Sequence, residues 1–258
     1  MEIEKEISHD MVENLLKQGK RGDGRKKLEY REIKLQKNVI PNAEGSALCS
    51  IGKTQLLSAV KIALAKPYPD RPEDGILSTS AEFTPLGSPY FEPGPPRAGA
   101  IELARVVDRG IRSSECINLK KHNIENSEFV LATYIDLWIL DHDGNLFDAA
   151  MLASMSALQN TRMPKVEEDK IIRDEIVGKL KLSTSVVSCT FTKIGENLLL
   201  DPAFEEEIGA EAMLTIGTTP EYVCAVQKSK RGGLTQKDIL ELVDISFDKG
   251  KELRKFLD

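Results

Sequence analysis

Three arginines recur at a regular spacing in the first half of the sequence, at positions 105, 109 and 112. On an α-helix, residues separated by four and then three positions lie on one face, so a helix here would present Arg105, Arg109 and Arg112 side by side. Guanidinium groups in such a row can bind successive phosphates through paired hydrogen bonds. The spacing therefore predicts a phosphate-binding surface, which could serve a nucleic acid.

The same arginines have a structural alternative. Glu102 precedes Arg105 by three positions, and Asp108 precedes Arg112 by four. These are the separations at which ion pairs form along an exposed helix, and arginine rows of that kind are common. The residue pattern alone leaves open both a phosphate-binding face and a salt-bridged, solvated face.

The element that carries the arginines is predicted from its apolar residues. A helix over residues 101–117 places Leu103, Val107 and Gly110 on the face opposite the arginines, where they can pack inward. Residues 87–99, which contain four prolines and three glycines, cannot form a helix interior or a central strand. The helix is therefore predicted to follow this segment.

The rest of the chain predicts strands and helices in two similar runs. Residues 46–64 are typical of a β-hairpin, and the connection at Gly52 and Lys53 suits a type II′ turn. Residues 147–160 carry hardly any charge, so the helix predicted there must be buried. The other predicted elements are strands at 76–86, 128–140, 210–216 and 221–228, a connector at 160–181, a hairpin at 184–201, and a helix at 235–257 begun by Thr235 and Asp238. Each run places strands first and helices after, which predicts an α+β fold of two similar halves packed together.

The N-terminal segment combines a predicted helix with a basic arm. Residues 21–25 favour turns, and positive charges outnumber negative ones between residues 20 and 37. This arm is either a solvated surface segment or an RNA contact, and the pattern does not separate the two. Residues 1–20 are predicted to form an amphipathic helix. Its apolar face is predicted to hold Ile7, Met11, Leu15 and Leu16.

Composition narrows the class of protein. The chain has 258 residues, is 41% hydrophobic and carries a formal net charge of -6, so we expect a globular protein in which any RNA contact is local. We find neither a secretory signal nor an apolar stretch of membrane-spanning length, and expect a cytoplasmic protein without a membrane partner. The cysteines and histidines share no metal-ligand spacing, which disfavours a structural zinc. The cysteines are Cys49, Cys116, Cys189 and Cys224.

Two other patterns are interpreted as structural, and a nucleophilic catalytic set is not found. Residues 52–54, Gly-Lys-Thr, imitate the end of a P-loop, but Ala47 replaces the required earlier glycine and the segment connects two strands. No serine or cysteine nucleophile with a histidine and an acid is recognisable. An acidic cluster around the turn at 141–145 lacks calcium-loop spacing, so no metal site is predicted. Its members are Asp136, Asp141, Asp143 and Asp148.

Several segments resemble the RNase PH family. Residues 21–31, RGDGRKKLEYR, are similar to the family's R-x-D-G-R-x-x-x-E-x-R opening, and residues 44–47, EGSA, lie beside a hairpin as in the family's first strands. Residues 91–96, FEPGPP, and 101–112, IELARVVDRGIR, closely resemble one type of RNase-PH-like subunit of the archaeal exosome, the type that alternates with a catalytic sister. The order and spacing of the motifs both fit, from about residue 21 to the C-terminus.

The resemblance implies a fold and an assembly. The fold is the RNase PH fold, two similar βαβα-type halves (ribosomal protein S5 domain 2-like) packed together. Residues 1–30 would form the N-terminal helix and arm, 31–165 the first domain, 166–183 a connector and 184–258 the second domain. The implied assembly is a hetero-hexameric ring, with three copies each of this chain and of the catalytic RNase-PH-like subunit, and RNA-binding cap subunits on one face. Single-stranded RNA would be shortened from its 3′ end by inorganic phosphate with magnesium, and this subunit would hold no cofactor.

Two departures from the catalytic pattern imply that this subunit does not itself catalyse phosphorolysis. The sister's Gly-Ser-Arg phosphate-binding loop is replaced by residues 144–146, Gly-Asn-Leu, and Leu146 cannot bind phosphate as arginine does. The acid of the sister's Asp-Ile/Leu-Pro motif corresponds to residues 181–183, Lys-Leu-Ser. Lys181 cannot act as the same general acid. No catalytic residue is therefore expected.

The resemblance gives the arginine row a role. It implies that Arg105 and Arg109 hold the RNA backbone at the sister's active site, and Arg112 continues the same face. One alternative is an active homohexameric exoribonuclease in which Arg162 or Asp169 replaces a missing group. Another is a purely structural ring subunit with salt-bridged arginines. A small-molecule kinase of related fold is disfavoured, because no glycine-rich phosphate loop leads into a helix.

Overall fold

A computed structural model describes residues 2–125 and 127–258. Within these residues, none of the helices is long and apolar enough to cross a membrane. The strands are β1 (Ile33–Lys37), β2 (Gly45–Ile51), β3 (Thr54–Ala65), β4 (Ile76–Phe83), β5 (Val130–Asp141), β6 (Arg162–Glu167), β7 (Lys170–Lys179), β8 (Val187–Ile194), β9 (Asn197–Leu200), β10 (Ala212–Thr218) and β11 (Val223–Ser229). The helices are α1 (Glu2–Lys17), α2 (Ala98–Ser113), α3 (Leu146–Gln159), α4 (Phe204–Gly209) and α5 (Gln236–Arg254), with one 3₁₀ turn at Leu119–His122.

The first half is built on a five-stranded sheet in the order β1-β2-β3-β5-β4. Neighbouring strands are antiparallel except β4 and β5, which run parallel and are connected through α2. Side chains alternate between the faces of a strand, so Leu56, Val60 and Ile62 of β3 all face the core. Helix α2 packs against β4, and α3 packs against β2 and β3. Helix α2 carries the three arginines and is called the arginine helix below. It thus lies along β4, an edge strand of the sheet.

Helix α3 connects the cores of the two halves. It contacts β2 and β3 of the first sheet and β8 of the second, and every residue from Leu146 to Leu158 is buried. The prediction that the uncharged segment is a buried helix is confirmed. A helix enclosed on all sides needs apolar or small residues around its whole circumference, which is what the sequence supplies.

The second half is a four-stranded antiparallel sheet in the order β11-β10-β8-β9. Helix α5 packs on β8 and β10 through the buried Leu242 and Leu253. Its start is the predicted capping box: Thr235 Oγ1 accepts from the backbone N–H of Asp238 at 3.1 Å, and the Asp238 carboxylate accepts from the backbone N–H of Thr235 at 3.0 Å. Two sheets with helices packed on them confirm the predicted α+β fold.

The N-terminal helix α1 forms within the predicted segment, with Met1 outside the described residues. Its predicted apolar face is partly wrong. Val12 and Leu16 are buried against the end of the second sheet, whereas Ile7 and Met11 are 63% and 48% exposed. The helix contacts α4 and β8, and these contacts leave Ile7 and Met11 exposed.

The predicted connector at 160–181 is wrong, because this segment forms a hairpin of β6 and β7. A two-residue turn joins the strands, with Glu168 and Asp169 at φ values of +49° and +55°, the conformation of a type I′ turn. Ile176 and Val177 of β7 are exposed. An exposed two-stranded ribbon needs no alternation of apolar and polar residues, and its charged sequence therefore favoured a loop.

Other predictions differ from the structure at element boundaries. Helix α2 begins at Ala98 instead of residue 101 and ends at Ser113 instead of 117. Strand β1 and helix α4 lie in segments for which no element was predicted. The hairpin of β2 and β3 is confirmed, with Gly52 at a φ of +59° in the turn.

Candidate functional site

The three arginines lie on one exposed face of α2, as their spacing predicts. They line a cleft of about 370 Å³ between α2 and the edge strand β4, where residues 77–79 form the opposite wall. Leu103 and Val107 on the other face are buried in the core. Helix α2 therefore presents a cationic row toward a groove at the edge of the first sheet.

Arg112 is neutralised by a carboxylate on its own helix. Its Nε and Nη2 donate to the two oxygens of Asp108 at 3.0 and 2.9 Å, and Nη2 also donates to the Leu77 carbonyl at 2.8 Å. The hydrogen bonds from Arg112 to Asp108 raise the pKa of the Arg112 guanidinium. The ion pair predicted by the structural alternative is therefore present at this end of the row.

Arg105 differs, because the carboxylate three positions before it is turned away. The Oε1 atom of Glu102 accepts hydrogen bonds from Gln227 at 3.0 Å and from Ser229 at 2.6 Å. Among the residues that the structure describes, Arg105 has no hydrogen-bond or ion-pair partner, and its side chain is exposed. The second ion pair of the structural alternative is absent here.

Arg109 lies between these two extremes. Its Nη1 donates to the amide oxygen of Gln227 at 3.4 Å, a neutral acceptor that leaves the positive charge of the guanidinium uncompensated. Arg105 and Arg109 can therefore each offer further donors to an anion in the cleft, whereas the Nε and Nη2 donors of Arg112 are already occupied by Asp108 and a carbonyl.

The basic arm before β1 lies at the junction of the two halves. Arg21 is almost fully buried and binds Glu206 of α4. Arg25 and Arg31 both bind the fully buried Asp201, which follows β9. These three arginines are therefore internal ion-pair partners, and neither a solvated arm nor an exposed RNA contact describes them.

A second buried carboxylate extends this junction. Asp148 of α3 accepts hydrogen bonds from the Tyr30 hydroxyl at 2.8 Å, the Asn145 amide at 2.9 Å, and the backbone N–H and hydroxyl of Thr190 at 3.0 and 2.8 Å. Burial raises the pKa of Asp148 to about 6, and its hydrogen bonds oppose that rise. Asn145 also donates to Asp201 at 2.7 Å, so the two carboxylates belong to one polar network.

Residues 144–146, which are expected to replace the sister's phosphate-binding loop, are buried. Asn145 adopts a left-handed φ of +57° and is fully buried as the N-cap of α3. Leu146 is 8% exposed and belongs to the main core. Lys181 is exposed, and no hydrogen bond or ion pair of its side chain is found in the described part of the chain.

The members of the acidic cluster predicted to be structural have different surroundings. Asp136 accepts from the Ser80 hydroxyl at 2.7 Å, while Asp148 is buried within the junction. Within residues 2–125 and 127–258, no three His, Cys, Asp or Glu side chains are placed to hold a metal ion.

Comparison with known protein families identifies the fold. The 3′ exoribonuclease family, domain 1, matches residues 29–164, and domain 2 of the same family matches residues 184–249. The chain belongs to the RNase PH family. The resemblance inferred from the motifs is thereby confirmed.

Archaeal members of the RNase PH family are similar over almost their full length. The protein named Exosome complex component Rrp42 from Thermococcus gammatolerans is 43% identical over 263 residues, covering 100% of this chain and 96% of the relative. The protein of the same name from Methanopyrus kandleri is 44% identical over 244 residues, covering 93% and 91%.

Solved structures agree with this assignment. A chain of the structure described as Archaeoglobus fulgidus exosome with RNA bound to the active site has a TM-score of 0.92 and 42% identity, covering 99% of this chain and 100% of that chain. A chain of an archaeal exosome core has a TM-score of 0.88 and 38% identity, covering 100% of both. Rice Rrp46, with a TM-score of 0.72 and 18% identity, shares the fold. The expected RNase PH fold is confirmed.

Two residues beside the arginine row were not found from the sequence. Gln227 and Ser229 are two positions apart on β11, so both side chains point to the same face of that strand, toward α2. Their period-2 spacing is visible in the sequence. Their partner Glu102 is 125 residues from Gln227, and no local pattern connects them.

Proposed function

We propose that this chain is a non-catalytic subunit of an archaeal-type exosome, a phosphorolytic 3′-to-5′ exoribonuclease complex for RNA degradation and processing. In this role it scaffolds a hetero-hexameric ring and offers Arg105 and Arg109 to RNA near the active site of the catalytic sister. The observation that carries the proposal is the cleft along α2, where these two cations face solvent without a carboxylate partner. A cation in that state attracts a phosphate backbone, even on a chain with net negative charge.

The relatives support the choice of complex. They carry the name of an exosome component, and the structural neighbours are exosome chains, one of them from a complex with RNA bound to the active site. The proposed partners of this chain are three copies of a catalytic RNase-PH-like subunit, RNA-binding cap subunits and single-stranded RNA. The complex would act in the cytoplasm and use inorganic phosphate with magnesium, with no cofactor held by this subunit.

The proposal that this subunit is non-catalytic rests on the two departures from the catalytic pattern. Leu146 is buried in the core, so neither its chemistry nor its position suits phosphate binding. Lys181 is exposed and brings a positive charge to the place where the catalytic pattern has an acid. The remaining contribution to the reaction is to position RNA, which lowers the entropic part of the barrier for the neighbouring active site.

The test compares this chain alone with the ring reconstituted from this chain and the catalytic sister. End-labelled single-stranded RNA is incubated with phosphate and magnesium, and shortened products are measured. We expect no shortening by the chain alone, shortening by the ring, and strongly reduced shortening by a ring carrying Arg105→Glu and Arg109→Glu. Arg231→Glu is the matched control, because it reverses an exposed arginine that does not line the cleft.

The alternatives give different results in the same experiment. Phosphate-dependent shortening by the chain alone would identify an active homo-oligomeric exoribonuclease, and Arg162 and Asp169 would then be the first residues to replace. A ring whose activity does not change when both arginines are reversed would leave only a scaffolding role.

A further inference from the structure

The edge strand of the second sheet reaches across to the arginine helix of the first half. Gln227 and Ser229 on β11 both donate to the same oxygen of Glu102 on α2, at 3.0 and 2.6 Å. Gln227 also accepts from Arg109 at 3.4 Å. Ser229, Glu102 and Gln227 thus form a short hydrogen-bonded chain, which ends on the guanidinium of Arg109 in the cleft.

The orientation of the Gln227 amide follows from its neighbours. A carboxylate can only accept hydrogen bonds, so the amide NH₂ group must face Glu102. The amide oxygen then necessarily faces Arg109, which can only donate. Glu102 therefore sets the polarity of Gln227, and Gln227 in turn presents an acceptor that restrains the Arg109 guanidinium.

The same contacts determine the state of Arg105. Glu102 precedes Arg105 by three positions on the helix, a spacing at which the two side chains can form an ion pair. With two donors from β11 on Glu102, that ion pair is not formed. The carboxylate that could neutralise Arg105 is held by the second half of the molecule.

We propose that Gln227 and Ser229 are positioning residues for RNA binding, which withdraw Glu102 from Arg105 and orient Arg109. This inference rests on the proposed function, since it assigns the means by which the two arginines stay available to phosphate. Neither residue needs to touch RNA. Their effect on Arg105 passes through Glu102 and is therefore electrostatic, which separates it from a role in packing β11 against α2.

The test measures RNA affinity of the reconstituted ring by fluorescence anisotropy with a labelled single-stranded RNA at several salt concentrations. We expect Gln227→Ala with Ser229→Ala to weaken binding about tenfold, because Glu102 is released to pair with Arg105. The slope of log affinity against log salt should fall by about one phosphate contact. Adding Glu102→Gln to this double variant should restore most of the affinity and of the slope, since no carboxylate remains to compete.

Gln36→Ala is the matched control. Gln36 is an exposed glutamine on β1, an edge strand at the far side of the first sheet, and its replacement should leave affinity unchanged.

A double variant that binds as tightly as the unaltered ring would overturn the inference, and so would a loss that Glu102→Gln does not reverse, because that result indicates a packing role. Rings with Arg105→Ala and Arg109→Ala are measured alongside. Unchanged binding by these rings would instead refute the RNA-binding role that the proposed function gives to the two arginines.

Discussion

The guanidinium of Arg31 binds the carboxylate of Asp201 through two hydrogen bonds, from Nε at 2.9 Å and from Nη2 at 2.7 Å. Arg31 precedes the first strand of the first half, and Asp201 follows β9 of the second half, 170 residues later. Asp201 also accepts from Arg25 and Asn145. One fully buried carboxylate therefore joins the N-terminal arm, the N-terminus of α3 and the second sheet.

Removing the Asp201 carboxylate should destabilise the junction between the two halves. We expect Asp201→Ala to lower the free energy of unfolding by about 3–5 kcal/mol, since it leaves Arg31 and Arg25 without their buried counter-charge. Urea denaturation of the full chain measures this loss. Asp23→Ala is the control: Asp23 pairs with Arg25 but is 35% exposed, so we expect a loss below about 1 kcal/mol. Equal losses in the two variants would contradict a special role for Asp201.

The arginines of α2 should contribute unequally to RNA binding. We expect Arg105→Ala to weaken binding by the ring about tenfold and to reduce the salt slope by about one, because it removes an uncompensated cation. Arg112→Ala should have a much smaller effect, since Asp108 already compensates that charge. Anisotropy titrations at several salt concentrations give both quantities, and a larger effect of Arg112→Ala would contradict the order.

The arginine helix could be predicted because the residue spacings that indicate it are local in the sequence. Spacings of three and four residues place Arg105, Arg109 and Arg112 on one face, and apolar residues at matching spacings bury the other face. The sequence did not reveal which of these guanidinium groups is paired with a carboxylate. Arg105 and Arg112 have similar acidic neighbours along the helix, and only the strand β11, more than 100 residues away, removes the partner of Arg105.

The basic arm is a second case in which the decisive partners are distant in the sequence. A run of positive charge in the sequence indicates exposure, because isolated charges are costly to bury. Here the counter-charges are supplied by Glu206 and Asp201, which lie 185 and 170 residues further along the chain. The position of the arginine row was therefore predictable from periodicity, whereas the ion pairs of Arg21, Arg25 and Arg31 depend on tertiary contacts that no local pattern encodes.

The stability of the chain should depend on the titration of Asp148. Burial raises the pKa of Asp148 from 3.8 to about 6, so the folded state binds this proton more tightly than the unfolded state does. The resulting stabilisation is present below about pH 4 and is lost as the pH rises through about 6. Relative to Asp148→Asn, which cannot titrate, the unaltered chain should lose about 2 kcal/mol between about pH 4.5 and about pH 7.5. Parallel pH profiles of the two proteins, from urea denaturation, would contradict the raised pKa.

The close approach of the two halves at Gly144 gives a prediction with an internal control. Gly144 and Gly24 both adopt a left-handed backbone, with φ values of +87° and +81°. A Cβ at Gly144 would lie 2.4 Å from the Pro202 carbonyl oxygen, whereas a Cβ at Gly24 would meet nothing within 4 Å. Alanine at either position costs about 1–2 kcal/mol for the left-handed conformation. Only Gly144→Ala must also push the backbone of the second half away, at a further cost of about 1–3 kcal/mol.

The difference between the two alanine variants therefore isolates the contact between the halves. We expect the urea midpoint of Gly144→Ala to fall well below that of Gly24→Ala, while both variants keep the slope of the unaltered chain. Since Asn145 beside Gly144 donates to Asp148 and to Asp201, a displaced loop would also weaken the buried network. Equal midpoints would mean that the segment after β9 can move aside without cost, and the junction would then be less rigid than its hydrogen bonds indicate.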